Sequence, residues 1–301
     1  MSKYEFGETL DLSIKKAETG ASGSDKAYET PYRRYENYID NEAWDAFIGE
    51  MRINYPSIYE ELANGSGDEL GIKKTGRPPK MASYGSSSRM IYLLSRDIPG
   101  FAFEKKLPTT VGGIANIDGC LFCDDTHFYI EAKCREPYSH RPYPINRKYE
   151  ALYRYLDQEA RVDFNCKITI LDNNKMDVLF VSQGKAITCF DIKQMISHLL
   201  GIATRNLKYP TEEKIRFLYL LYNPNLIEII NPEHKAQILS IYDTETAECD
   251  SIPFKDLYKA IMQYLYKYKG IGTASEDKVK EMSDNFAFTR CDQASYRQLL
   301  I

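Results

Sequence analysis

The sequence predicts an α/β fold in which helices flank a mixed central β-sheet, and three observations support this prediction. Between Phe101 and Cys134, three apolar runs are separated by short links rich in turn residues, which indicates an antiparallel meander. A helical stripe at residues 188–206 then leads into a strongly apolar run at residues 214–224, which indicates a buried strand. Further helical patterns precede and follow this core, so helical additions are expected at both termini.

The composition is that of a soluble globular chain. The 301 residues are 43% hydrophobic and 27% charged, and the start of the sequence lacks the pattern of a signal peptide. No apolar stretch approaches the roughly 18 residues of a membrane span, so we expect a cytoplasmic protein that does not bind membranes. Seven cysteines, an odd number, fit reduced thiols. The net charge of −4 means that any binding of nucleic acid needs a local basic patch.

The first 85 residues are expected to form an N-terminal arm and a helical appendage with a basic linker. Residues 1–37 show no apolar period, whereas "NEAWDAFIGEM" and "YPSIYEELANG" have the spacing and end residues of two helices. A loop rich in glycine, proline and serine follows at residues 64–88, and Ser87 or Ser88 is expected to cap the next helix.

The core is expected to span residues 86–224, with an insertion at residues 135–188 that contains a helix and a hairpin turned at residues 172–174. Residues 225–301 are expected to form a C-terminal helical extension.

Three charged residues occur within the predicted meander. Glu131 and Lys133 stand in the middle of "HFYIEAKC", where the period of two places both side chains on one face together with Tyr129. Asp118 lies in the preceding apolar run, "GIANIDGCLFC", and a short connection makes its strand the neighbour. We therefore expect the three charged groups to converge.

An aspartate and a glutamate at one place form a hard-oxygen site suited to Mg²⁺ or Mn²⁺. A lysine beside that site can hold a water molecule or help to deprotonate it, and this combination suits phosphodiester hydrolysis. The alternative is an ion pair on a solvated sheet face, which contributes at most about 1 kcal/mol. The joint placement of Asp118, Glu131 and Lys133 in this order of elements favours the catalytic interpretation.

With "IDG" followed by "FYIEAK" in a helix, three-strand, helix, strand order, the chain resembles the PD-(D/E)xK nuclease superfamily, the fold of type II restriction endonucleases. The resemblance covers residues 86 to about 224. It implies a restriction endonuclease-like core in which Asp118, Glu131 and the Ala132 carbonyl hold Mg²⁺, or Mn²⁺ as a substitute, and Lys133 lies at the attacking water. Ile117 stands where the family name has proline.

The resemblance also implies further site residues. Many members carry an additional glutamate on the preceding helix or the first strand, and Glu104 is the candidate here, as a catalytic residue and a ligand of a second metal or through water, with Asp97 as the substitute. Gln194 and His198 are four residues apart, as in the Gln-x-x-x-Tyr element of the RecB-like branch, with histidine in place of tyrosine. In the other interpretation, these two are boundary residues beside an apolar stripe.

Two basic segments are candidates for contacts with DNA. "KKTGRPPK", residues 73–80, resembles an AT-hook in part, although a basic linker explains it more simply. The segment from Lys133 to Tyr155 interleaves arginines with tyrosines directly after the proposed catalytic strand. The spacing of Cys120 and Cys123 suggests zinc or iron–sulfur ligation, but a second cysteine pair is absent and strand alternation separates the two thiols.

The sequence thus predicts a metal-dependent endodeoxyribonuclease, most simply a restriction endonuclease that acts on DNA, and a homodimer would place two active sites on one duplex. Two alternatives stay open: a DNA repair or recombination nuclease of the same fold, and a non-catalytic nucleic-acid-binding module.

Overall fold

A computed structural model describes residues 41–65, 68–71, 79–83, 86–134, 144–226, 232–272 and 274–300. The expected N-terminal arm, most of the basic segment 73–80, and residues 135–143 of the second basic segment lie outside the described residues. The Arg135 and Arg141 side chains are therefore not placed.

The described part of the chain contains both strands and helices in one α/β arrangement. The strands are β1 (Ala102–Thr109), β2 (Gly113–Cys123), β3 (Thr126–Lys133), β4 (Ile145–Asn146), β5 (Phe164–Ile170), β6 (Lys175–Ser182), β7 (Lys185–Ala186), β8 (Lys214–Leu221) and β9 (Phe286–Cys291). The helices are α1 (Asn41–Asn54), α2 (Pro56–Ala63), α3 (Ser87–Ser95), α4 (Glu150–Gln158), α5 (Ile192–Lys208), α6 (Pro232–Ser251), α7 (Phe254–Lys269), α8 (Glu276–Asp284) and α9 (Tyr296–Leu300). None of these helices is both long and apolar enough to cross a bilayer.

The central sheet has five strands in the order β1-β2-β3-β8-β9. The first three strands form the predicted antiparallel meander, because their connections are short. Strand β8 then returns parallel to β3 after the crossover that contains α5, and β9 lies parallel to β8 at the edge. The predicted mixed sheet flanked by helices is confirmed.

The insertion forms a second, smaller sheet in the order β4-β6-β5, with β7 pairing to β6. Strands β5 and β6 form the predicted hairpin around residues 172–174, and Asp172 accepts hydrogen bonds from the backbone of the turn. Helix α4 packs on this sheet through a face that includes Leu152, Tyr153 and Leu156.

The central sheet separates two hydrophobic clusters. Alternation along β3 places Tyr129 in the cluster that contains α5 and α7, while Ile130 and Ala132 belong to the cluster that contains α3 and the N-terminal helices. Along β2, Cys120 packs against the first cluster and Cys123 against the second, as alternation predicts. The face of β3 that carries Tyr129 is therefore covered by α5.

Two details differ from the sequence-based predictions. Ser86, one residue earlier than expected, caps α3 by accepting a hydrogen bond from the Arg89 amide. Strand β9 lies in the C-terminal region for which the sequence predicts helices alone. This strand has six residues and pairs with β8 across more than 60 residues of chain, so its pairing depends on tertiary contacts rather than on a local pattern.

A glycine after α7 gives the first testable prediction. Gly272 has φ +85°, and a Cβ there would lie 2.2 Å from the Leu207 carbonyl oxygen at the end of α5, whereas Gly184 has φ +74° and no atom within 4 Å of its Cβ position. Gly272→Ala should therefore lower the free energy of unfolding by about 3 kcal/mol, and Gly184→Ala by about 1 kcal/mol, since it adds backbone strain alone. Urea denaturation measures both. Equal losses would contradict a close contact between Gly272 and α5.

Candidate active site

Asp118 lies where β2 and β3 separate. The pairing of the two strands ends at Gly119 and Ile130, while β3 continues beside β8 as far as Lys133. The Asp118 Oδ2 atom accepts a hydrogen bond of 2.8 Å from the Ala132 amide. The Asp118 carboxylate therefore takes the place of a backbone acceptor of β2 at this point. It lies against the backbone N–H group of Ala132, the residue between Glu131 and Lys133.

Glu131 is buried beneath α5. Its side chain is 1% exposed, and its two carboxylate oxygens lie 2.7 Å from Lys133 Nζ and 2.9 Å from His198 Nε2. These two contacts pair both oxygens of the buried carboxylate with nitrogen groups. This environment is the opposite of the solvated sheet face that a simple surface ion pair would occupy.

The charge on Glu131 follows from its neighbours. Burial raises the pKa of this carboxyl group, but the charges of Lys133 and His198 outweigh burial and lower the pKa to about 2. Glu131 is therefore ionised at neutral pH although its side chain is buried.

Helix α5 supplies the polar partners of this strand. Lys133 Nζ donates a hydrogen bond of 2.7 Å to Gln194 Oε1, and His198 follows one turn later against Glu131. Asp191 caps the helix by accepting from the Gln194 amide. The i,i+4 spacing therefore directs Gln194 and His198 toward the two charged residues of β3.

Glu248 of α6 holds the residues before α5, a contact that the sequence analysis did not predict. Glu248 accepts hydrogen bonds of 2.7–2.9 Å from the amides of Thr188, Cys189 and Phe190 and from the Thr188 hydroxyl. These residues directly precede the Asp191 cap. The sequence contains no signal for this contact, because a glutamate about 60 residues away has no periodic relation to the loop.

A second acid of α6, Glu245, lies beside the strand that pairs with β3. Tyr219 of β8 is the register partner of Glu131, and its hydroxyl donates a hydrogen bond of 2.5 Å to Glu245 Oε1. Glu245 is 1% exposed, and its Oε2 atom has no hydrogen-bond partner among the residues that the structure describes. Burial raises the pKa of Glu245 to about 7, although the Tyr219 hydroxyl and the Lys133 charge act in the opposite direction.

The raised pKa predicts how stability depends on pH. The folded protein holds the Glu245 proton more tightly than the unfolded chain, so stability should fall as pH rises from about 4.5 to about 7 and change little above that. Glu245→Gln keeps an acceptor for Tyr219 and removes the titration. The variant should gain about 2–3 kcal/mol relative to wild type between pH 5 and pH 8 in urea denaturation. If the difference in the free energy of unfolding between Glu245→Gln and wild type stayed the same from pH 5 to pH 8, Glu245 would not be a buried group that titrates in this range.

The two candidates for the additional acid lie elsewhere. The β1–β2 register places Glu104 opposite Asp118, but its backbone has φ +51° and its carboxyl group packs over Gly65 against Glu69. Burial, followed by repulsion from Glu69, raises the pKa of Glu104 to about 7. Asp97 is 55% exposed and accepts a hydrogen bond of 2.6 Å from the Tyr55 hydroxyl. The contacts described for both acids are with other parts of the chain than Glu131 and Lys133.

Asp118 and Glu131 are the carboxylates that a divalent cation would use at this site. Among the described residues, no three or more His, Cys, Asp and Glu side chains gather as a metal-binding group. Asp118 and Glu131 supply two carboxylates, although both oxygens of Glu131 are already paired with Lys133 and His198. Mg²⁺ is often held by one or two carboxylates with water completing its shell, so the chemical type and number of these groups suit Mg²⁺.

Comparison of the chain with protein-family models, with curated proteins and with solved structures finds no match. The residues and their geometry therefore carry the functional inference.

Proposed function

We propose that the protein is a Mg²⁺-dependent endodeoxyribonuclease with a restriction endonuclease-like core. The observation that carries this proposal is the position of Asp118, whose carboxylate lies against the Ala132 amide, between Glu131 and Lys133, at the point where two strands separate. Asp118 on β2 and Glu131 and Lys133 on β3 thus bring two acids and a lysine to the same short stretch of β3, residues 131–133.

The chemistry at this site would be hydrolysis of a phosphodiester bond. Asp118, Glu131 and the Ala132 carbonyl would hold the Mg²⁺ or Mn²⁺ ion, which, when bound, neutralises charge that develops on the phosphate oxygens. Attack of water in line with the leaving oxygen would leave a 5′-phosphate and a 3′-hydroxyl, as the resemblance implies.

In this proposal, Lys133 orients the attacking water. Its ammonium group is fixed from two sides, by Glu131 at 2.7 Å and by Gln194 at 2.7 Å. A fixed positive charge lowers the free energy of a hydroxide ion next to the polyanionic backbone. Gln194 contributes by holding Nζ in place.

The burial of the cluster favours this function over a structural ion pair. Glu131 and Lys133 are 1% and 8% exposed, and desolvation of such charges is costly unless they are paired. Concentrations of buried ionisable groups with a strongly shifted pKa occur preferentially at functional sites. A purely structural pair at this position could be replaced by apolar residues at little cost.

Cleavage of DNA tests the proposal. Supercoiled plasmid, linear phage DNA and single-stranded or branched oligonucleotides are each incubated with the protein in Mg²⁺, in Mn²⁺ and in EDTA. We expect cleavage with either metal and none in EDTA, with discrete fragments for a restriction enzyme. Selective cutting of single-stranded or branched DNA would instead indicate a repair nuclease. Binding of DNA without cleavage under every condition would contradict the proposal and favour the binding module.

The oligomeric state is measured in the same samples by light scattering. A homodimer would match cutting of both strands at one site, because each protomer would act on one strand.

A further inference from the structure

A pocket on the N-terminal helices lies apart from the residues proposed for catalysis. It has a volume of about 350 Å³ and is lined by Trp44, Asp45, Ile48, Gly49, Arg52, Tyr59 and Leu70. The first five of these residues come from α1 and share one face, since their spacing follows the helical repeat. Tyr59 of α2 and Leu70 complete the walls, so the pocket belongs to the appendage rather than to the sheet.

Gly49 lines the middle of this pocket. A Cβ atom built on this residue meets no atom within 4 Å, so the missing side chain leaves open space in the middle of α1. Glycine inside a helix costs about 1 kcal/mol relative to alanine. The chain therefore carries an unfavourable residue at the position where a longer side chain would fill the pocket.

The walls offer flat surfaces. The guanidinium group of Arg52 lies over the Tyr59 ring, 4.8 Å from its centre, and donates a hydrogen bond of 2.7 Å to the Tyr59 hydroxyl. This double contact fixes the plane of the guanidinium group. The partly buried indole of Trp44 lies two turns earlier on the same helix. Aromatic rings and fixed guanidinium planes are the surfaces on which nucleobases stack.

Asp45 and Arg52 provide the acceptor and donor types that the edge of a base requires. Asp45 is exposed and provides a carboxylate that accepts hydrogen bonds, and the guanidinium group of Arg52 provides donors. Adenine, cytosine and guanine each carry an amino donor beside an acceptor, whereas thymine has no amino group. The volume is at the small end of ligand pockets and is sufficient for one nucleoside.

We propose that this pocket binds one unpaired nucleobase, which stacks on Trp44 and presents its amino edge to Asp45 and Arg52. The proposal goes beyond cleavage of DNA, and no part of it requires a bound metal or an intact catalytic cluster.

The single tryptophan of the chain is a reporter for this site. Full-length protein is titrated in EDTA with dAMP, dCMP and dTMP, with oligo(dA) and oligo(dT), and with deoxyribose 5-phosphate, while the fluorescence of Trp44 is followed. We expect saturable quenching by dAMP and dCMP that exceeds quenching by dTMP, and none by the sugar phosphate. Saturation by mononucleotides would identify a free nucleotide as sufficient, whereas saturation by oligo(dA) alone would identify a base within a strand.

Variants separate binding from stability. Gly49→Leu should fill the hollow and weaken binding at least about tenfold in calorimetric titrations, and it should not unfold the helix, because leucine favours helices more than glycine does. Ala46→Leu adds the same side chain on an exposed position of α1 outside the pocket and should bind as wild type does. Asp45→Asn should reduce the preference for dAMP over dTMP.

Three results would overturn the proposal. The first is the absence of saturable quenching with every base, and the second is equal binding by wild type and Gly49→Leu. The third is equal binding of deoxyribose 5-phosphate and dAMP, which would indicate an anion site instead of a base site. Because all measurements are made in EDTA, they stand whether or not the protein cleaves DNA, so failure of this proposal and failure of the nuclease proposal are distinguished.

Discussion

Replacement of Asp118 by asparagine, or of Glu131 by glutamine, should reduce metal-dependent cleavage of DNA about 10³-fold. Each change keeps the shape of the side chain, and the amide introduced by Asp118→Asn would retain an oxygen for the Ala132 N–H group, but each removes a negative charge that the metal requires. A loss of roughly 4 kcal/mol of transition-state stabilisation gives this factor.

The measurement is the initial rate of plasmid nicking at saturating Mg²⁺, with DNA binding followed by fluorescence anisotropy. Glu212→Gln provides the matched control, since Glu212 is 89% exposed and the variant should cleave at the wild-type rate. Rates within about threefold of wild type for both Asp118→Asn and Glu131→Gln would show that these acids do not form the catalytic site.

Lys133→Met should lower the free energy of unfolding by about 3–5 kcal/mol. Lys133 and His198 are the partners that offset the burial of Glu131, and removal of the lysine leaves the buried carboxylate without its cationic partner on β3. The double variant Glu131→Gln with Lys133→Met should recover much of this loss, because no unbalanced charge remains.

Urea denaturation at pH 7 measures these differences. Lys185→Met is the matched control, since Lys185 is exposed on β7 and its replacement should change the free energy of unfolding by less than about 0.5 kcal/mol. A loss below about 1 kcal/mol for Lys133→Met would indicate that the ion pair is effectively solvated.

The local parts of the site follow from the sequence because they depend on short repeats. The period of two along β3 places Glu131 and Lys133 on the face of Tyr129, and the spacing of four along α5 directs Gln194 and His198 to the same place. Short turns define the meander, which brings the strand of Asp118 next to β3. In each case, the geometry is determined by residues that lie close together in the sequence.

The remaining contacts depend on elements that are distant in the chain. The approach of Glu248 to the loop before α5, and of Glu245 to Tyr219, requires α6 to pack across the sheet, and no repeat in the sequence encodes that packing. Glu104 is expected at the catalytic site because of the family resemblance, in which many members carry an additional glutamate on the first strand. A positive φ value and the neighbouring Glu69 direct its carboxyl group toward the N-terminal segment instead.

The hydrogen bonds that Glu248 accepts from residues 188–190 have a consequence for the design of shorter fragments of this protein. A fragment that stops after β8 would keep Asp118, Glu131, Lys133 and Gln194, yet it would lose the acceptor that holds the entry to α5. Loss of these contacts should loosen the start of α5, where Gln194 lies beside Lys133 Nζ. The shortest fragment that preserves the site must therefore extend through α6, and a chimera that exchanges the C-terminal region must carry an acid equivalent to Glu248.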